Sequence, residues 1–421
     1  MKNISFIFTL FLITTAFAQE HSTISIFGFV KNDFIYDSRQ VFAARDGHFL
    51  FHPLPQKKDV NGEDINAQSV FNILSIQSRL GVKFSGPESF GAKTMGVIET
   101  DFFATTDASI NLMRLRLAYG KLTWTNAELI FGHYWHPLFI TDCFPDVISF
   151  NTGSPFQPFA RNPQLRLSYN VGKLKLIGAV NSQVDYASYG PNGKSTSYIR
   201  NSQIPETNIQ IHYNSKNEST GGEIVAGIGI GQKRLVPTLA TSKNVKTHEF
   251  ISSMHSIAFA KMKTKYLTLR LEGVYGANMS DLLLLGGFAA KDITTYNYDP
   301  NIDNVEYSYL QSESFWADIS TNGKNLQFGI FAGYTKKLEA NSAIDLAKCY
   351  SFLSCDIASI SRLSPRVVYT SGKVKVAIEF EITKTEFADY SKPNAITNKG
   401  VINETYSVTN YRGLLGIYYN F

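Results

Sequence analysis

Two arginines two residues apart, Arg114 and Arg116, follow two carboxylates at the same spacing, Glu99 and Asp101. Arg79 precedes this group, and Arg161 and Arg166 come after it. A guanidinium is a rigid fork of donors that fits a carboxylate or phosphate, and its charge does not titrate away. Such a set can bind and steer anions, or it can pair with Glu99 and Asp101 and hold a wall together. Neither task makes or breaks a bond. Of the eight histidines, His133 and His136 stand closest to a ligand spacing. Residues three apart in a strand point to opposite faces, and no third ligand follows, so no metal and no cofactor is expected.

The arginines need an extended scaffold, and the chain supplies one. Met113, Leu115, Leu117 and Tyr119 alternate with Arg114, Arg116 and Ala118. Leu165, Leu167 and Tyr169 alternate with Gln164, Arg166 and Ser168. A period of two gives one apolar and one charged face. These runs reach ten residues or more, which suits tilted strands crossing a bilayer better than strands of a soluble sandwich.

The same pattern recurs from Ile24–Asp37 to Tyr406–Phe421. Sixteen strands can be laid out, joined alternately by short turns and long connections. Asn322-Gly323 and Ser371-Gly372 are turn signals, and Asn72–Ser85 reads as one unbroken strand. The long connections are Ser38–Val70, His136–Ala160 and Asn278–Tyr307, among others. The expected fold is all-β: a transmembrane antiparallel β-barrel of 16 strands, with short periplasmic turns and long extracellular loops. Met1–Ala18 reads as a signal peptide (Lys2, an apolar core, then Ala16-Phe17-Ala18), leaving 19–421 as the barrel. Beyond it no apolar run is long enough for a helical span. Aromatic content of 13%, with 22 Tyr and 31 Phe, suits aromatic girdles at the two membrane interfaces.

Three cysteines leave one unpaired in an exported chain. Cys349 and Cys355 are close enough to bridge, and Cys143 has no obvious partner. The last strand places Gly413, Leu415, Ile417, Tyr419 and Phe421 on one face. A terminal aromatic such as Phe421 matches the assembly signal read by the outer-membrane barrel assembly machinery. Basic residues are dispersed along strands, so nucleic acid is not an expected partner.

Four segments, Gly96–Phe103 (GVIETDFF), Leu115–Gly120 (LRLAYG), Phe131–Phe139 (FGHYWHPLF) and Arg161–Tyr169 (RNPQLRLSY), follow in order and spacing. They resemble the IEADF, RLRHAYG, GQxWSxF and RxPQIRY segments of the DcaP-like trimeric porins. The close resemblance covers about 75 residues, and the looser one the whole barrel. His133 and His136 stand where that family has Gln and Ser. Only Gln19 to Ser22 precede the first strand, where known members carry a coiled-coil segment, so a trimer here would be held by barrel walls. The resemblance implies a homotrimeric outer-membrane diffusion channel, not an enzyme, that favours small anions such as dicarboxylates.

In such a channel the third long loop, about 136–160, forms the constriction. Phe139, Phe144, Phe150, Phe156 and Phe159 would pack it against the inner wall. Arg114, Arg116, Arg161 and Arg166, with Arg79, would face it across the pore, and Asp142 and Asp146 in the loop would complete a transverse field. Glu99 and Asp101 are pore-lining as well. Two other classes remain open. A barrel enzyme would need a nucleophile–base constellation at the rim. A receptor or adhesin would use long loops such as Ser38–Val70, with Arg45, Asp46, His48 and Asp59.

Overall fold

The structure, a computed structural model, describes residues 22–421. The expected signal peptide, 1–18, lies outside the described residues. Sixteen antiparallel strands form the wall. They are β1 (Thr23–Asp37), β2 (Val70–Leu74 continuing as Arg79–Ser89), β3 (Ala92–Asp101), β4 (Arg114–Thr123), β5 (Ala127–Trp135), β6 (Arg161–Val171), β7 (Leu174–Asn181) and β8 (Glu206–Asn217). The second half comprises β9 (Gly222–Leu235), β10 (Ile251–Lys263), β11 (Leu267–Ala277), β12 (Tyr307–Thr321), β13 (Leu326–Ala340), β14 (Ile357–Ser371), β15 (Val374–Ala388) and β16 (Thr405–Asn420). The first strand pairs with β2 on one side and with β16 on the other, from Phe29↔Asn420 to Asp37↔Arg412, so the sheet closes and leaves no edge. Among the described residues no helix is long and apolar enough to cross a membrane.

The alternation read from the sequence is the inside–outside division of the wall. Along β15, Val374, Val376, Ile378 and Phe380 face out, whereas Ala377, Glu379, Glu381 and Thr383 are buried inside. A slip of one residue would turn the carboxylates of Glu379 and Glu381 toward lipid and carry Lys375 with them, the lysine costing only about 0–1 kcal/mol because it stands beside the short turn. Tyr169, Tyr213, Tyr266, Tyr369 and Tyr419 stand exposed beside the short turns, where an aromatic girdle belongs. Leu282 to Leu285, four leucines in a long connection, are wholly buried. The Phe159 N–H donates to the Leu282 carbonyl at 3.0 Å, and Ser312 Oγ donates to the Leu285 carbonyl at 2.7 Å, so this run folds into the lumen.

Two expectations are corrected. The unbroken strand Asn72–Ser85 is interrupted at 75–78, where the Ser78 N–H donates to the Ser75 carbonyl at 3.1 Å. The break lets both Ile76 and Gln77 turn inward, which an unbroken alternation forbids. The long connection expected over Ser38–Val70 is not loop throughout but contains a hairpin, Val41–Ala44 with Phe49–Pro53. Phe49, Leu50 and Phe51 on it are fully buried. Their rings meet those of the third loop and a later one: Phe49 to Phe159 at 5.2 Å and Phe51 to Phe352 at 4.8 Å between centroids.

That hairpin makes docking sensitive to pH. His52, 3% exposed, donates its Nδ1–H to the Pro53 carbonyl at 2.8 Å. Burial pushes its pKa from 6.5 down to about 4. A released hairpin takes up a proton near 6.5, while the docked one resists until about 4. The docking energy from His52 is therefore complete above 6.5 and falls as the pH drops, by about 2 kcal/mol at pH 5. Proteolysis within 38–69, corrected for protease activity at each pH, is expected to rise between pH 7 and 5. His52→Phe should flatten most of that rise, and an unchanged profile in the native protein would refute the account.

Candidate functional site: the lumen and its third loop

The segment 136–160 leaves β5 at Trp135, crosses the lumen and rejoins the wall at Arg161. Its path is set by polar anchors from strands far apart around the barrel. His136 Nε2 lies 2.9 Å from Glu206 Oε1 on β8, and Gln210 donates to the Pro137 carbonyl at 2.8 Å. On the opposite wall Glu379 accepts from the backbone N–H groups of Ile148 and Ser149, at 2.7 and 3.1 Å. Asn151 donates to Glu381 at 2.9 Å, and Arg362 donates to the Ser154 carbonyl at 2.7 Å. Each satisfies a backbone or amide group that the irregular loop leaves unpaired inside a wall of strands.

Aromatic packing fills the space between anchors. Phe139, Phe150, Phe156 and Phe159 are buried, and Gly333 on β13 makes room for Phe156, since a Cβ there would lie 2.4 Å from its ring. Phe144 departs from the expected role, being 40% exposed on the surface of a cavity. Buried Cys143 points its thiol at the wall carbonyls of Ala260 and Leu271, and burial pushes its pKa up to about 12, so it is a small apolar filler and not a nucleophile.

The arginines expected to face this loop form a ladder with carboxylates between the rungs. Arg114 grips Asp101 bidentately, Nε–Oδ1 at 2.7 Å and Nη2–Oδ2 at 3.1 Å. Arg116 bridges Glu99 at 2.7 Å and Asp101 at 3.1 Å. Arg161 donates twice to Asp185, at 2.9 and 2.6 Å, and Arg114 lies 3.7 Å from the same residue. Burial opposes ionisation of Asp185, but Arg161 and Arg114 outweigh it and hold its pKa below the ordinary aspartate value. Sequence reasoning missed Asp185, because it sits in a connection with no strand pattern around it. Arg166 has no carboxylate partner among the described residues; it donates to Gln164 at 3.0 Å and to the Trp135 carbonyl at 2.7 Å.

Arg79 is the exception. Its side chain makes no hydrogen bond among the described residues, the nearest carboxylate oxygen, on Glu99, is 3.6 Å away, and its guanidinium lies 5.1 Å from the Phe29 ring centroid. It lines a cavity of about 460 Å3 between the third loop and the wall, together with Arg116, Glu99, Asp146 and Lys375. Lys375, which unlike Arg79 pairs with no carboxylate among the described residues, stands 3.8 Å over the Tyr418 ring. Asp146 shares this cavity with Arg79 and Arg116, but not with Arg114, and pairs with none of the expected arginines. It points at Arg366 on β14, 3.8 Å away, because Glu379 pulls the neighbouring backbone to that wall. Asp142 is exposed and lies outside this cavity. The transverse arrangement therefore runs between different partners from those expected.

Sequence reasoning also passed over a second charged wall. Lys31 bonds Gln77, Asp33 and the Ile148 carbonyl. Arg366 pairs with Asp318 at 2.7 Å, and Arg412 pairs with Asp37 at 2.9 and 2.7 Å. The signal was present, since each occupies an inward position of an alternating strand, but nothing local marks which inward charges matter. Cys349 and Cys355 are joined as a disulfide with Cα atoms 6.3 Å apart, and Phe421 ends the chain on the outer wall with its N–H donating to Gly28 at 3.1 Å.

A closed barrel with an apolar outer belt, a charged lumen and a loop folded across it is the architecture of the transmembrane channels of porin size. Comparison with solved structures agrees. The chain shares this fold with the outer-membrane channel DcaP of Acinetobacter baumannii, at 15% identity over 95% of this chain and 97% of that one, TM-score 0.64. An anion-selective porin from Comamonas acidovorans matches at 12% identity, over 95% and 100% of the two chains, TM-score 0.56. The trimer form of OmpT, an outer-membrane protein of Vibrio cholerae, matches at 10%, over 95% and 99%, TM-score 0.53. No family model and no curated protein matches the sequence.

Proposed function

We propose that the chain is an outer-membrane porin, held in the lipid of that membrane as a homotrimer, that passes small hydrophilic solutes by diffusion and favours anions, dicarboxylates among them. In this reading the long loops are extracellular, the short turns periplasmic, 1–18 is a cleaved signal peptide, and Phe421 guides assembly of the barrel. The observation that carries the anion preference is the cavity beside the third loop. Its lining holds Arg79, Arg116 and Lys375 against Glu99 and Asp146, and neither Arg79 nor Lys375 is neutralised by a hydrogen-bonded carboxylate. Cations without a hydrogen-bonded counter-charge at a water-filled constriction lower the barrier for anions. The anion-selective and trimeric relatives in fold support the reading.

The test is the reversal potential of the refolded protein in a planar bilayer under a salt gradient. Anions are expected to permeate faster than cations. The pair Arg79→Gln with Lys375→Gln should lower the permeability ratio about fivefold, taking about 1 kcal/mol for two charges in a water-filled lumen. Cation selectivity in the native protein would keep the channel and discard the solute preference. No conductance at all would move a loop-based receptor or a rim enzyme ahead.

A further inference from the structure

A second cavity, separate from the lumen site, opens at the mouth formed by the long loops. It measures about 480 Å3, within the range of small-molecule sites. Three connections build it: the hairpin of 38–69, the segment 350–356 pinned beside the Cys349–Cys355 disulfide, and the start of 389–404. Its wall is an unbroken arc of rings. Phe352 meets Phe42 at 5.5 Å, Phe42 stacks on His52 at 5.1 Å, His52 meets Phe387 at 5.9 Å and Phe387 stacks on Tyr406 at 5.9 Å. Tyr390, 66% exposed, completes the rim, its hydroxyl donating to Asp356.

Three features narrow what such a cup takes. Asp356 is the one charged side chain in its lining, so the site carries a negative charge and offers nothing to an anion. Lys337, in the field of that carboxylate, lines no part of the cavity and spends its ammonium on the Cys355 carbonyl. Among the described residues the His52 ring is buried against the backbone of Pro53 and Leu353, and Ser351 Oγ is likewise shut off from the cavity, so the polar groups behind the rings are not offered to a ligand. Aromatic faces attract a cation within about 6 Å through their quadrupole, and a carboxylate adds to that attraction.

We propose that this vestibule binds an organic cation through an alkylammonium head. The ring arc and Tyr390 enclose the head, and Asp356 supplies the counter-charge. The site lies outside the constriction and does not depend on what the pore passes.

Isothermal titration of the full, refolded protein tests it. A polyoxyethylene detergent is needed, since zwitterionic and maltoside detergents would present ammonium or sugar groups of their own. The probes are choline and the uncharged alcohol in which tert-butyl replaces trimethylammonium. Choline is expected to bind at least tenfold more tightly than its neutral isostere, the ratio a cation–π and carboxylate contribution of about 1.4 kcal/mol gives. Asp356→Asn and Tyr390→Ala, both at exposed positions, should each weaken choline about tenfold. Equal binding of the isostere, an Asp356→Asn variant that binds choline as well as the native chain, or saturation by maltose with no response to choline would each overturn the proposal.

Discussion

Replacing Asp101 by Ala is expected to cost the barrel about 3–5 kcal/mol, the range for removing one partner from a buried ion pair. The carboxylate is fully buried and serves Arg114 with both oxygens and Arg116 with one, while its Oδ1 also accepts the Phe103 N–H at 3.3 Å. Without it Arg116 keeps Glu99, but Arg114 retains only a 3.7 Å approach to Asp185. Two readouts follow, and they move in different directions. The urea midpoint of unfolding should fall without a change of slope. The permeability ratio should move further toward anions, because the charge of Arg114 becomes available to solutes. A loss below about 1 kcal/mol would mean that water reaches the pair and screens it.

Arg362→Ala is the second large effect, and it acts on the plug more than on the wall. This one guanidinium donates to the Ser154 carbonyl of the third loop at 2.7 Å, to the Leu50 and Phe51 carbonyls of the first hairpin at 3.2 and 3.1 Å, and to Thr383 on the neighbouring strand at 2.8 Å. It also stands 3.9 Å from Glu381 and 5.4 Å from the Phe156 ring. Charge-assisted hydrogen bonds are worth roughly 1.5–3 kcal/mol each, and those to three carbonyls on two loops vanish together. The wall strands β14 and β15 keep their ladder, so the barrel should still fold. Single-channel recordings are expected to show a severalfold larger and noisier conductance, with proteolysis appearing in both 38–69 and 136–160. Arg362→Lys should recover only part of the native trace, since one ammonium cannot reach three carbonyls in a fixed fork. Native conductance in Arg362→Ala would show that the aromatic core alone holds the loops.

These effects bear on how much of the molecule could be read in advance. The sixteen strands, their inward and outward faces and the third loop's place between β5 and β6 are legible because alternation is local. Leu115 declares its face by its neighbours Arg114 and Arg116, whatever lies across the barrel. The break at 75–78 was not legible, because Ile76 leaves the lipid side only to join a core that other segments build.

The arginine positions were likewise visible from their strands, but their state was not. Asp185, which pairs with Arg161, is 24 residues further along the chain and lies outside any strand. The partners that set the plug are more distant still: Glu379 and Ile148 are 231 residues apart, Arg362 and Leu50 312, and Arg412 and Asp37 375. A connection such as 38–69 looks polar and solvent-bound when read alone, and Phe49 to Phe51 become interior only because other loops bring rings to meet them. By itself the sequence determined the closed barrel and the inward and outward faces of its strands, since a two-residue period needs no more than adjacent residues to be expressed. The tertiary structure decided which lumenal charges are free and which loops fill the channel, since both depend on groups that only closure of the barrel brings within hydrogen-bond reach.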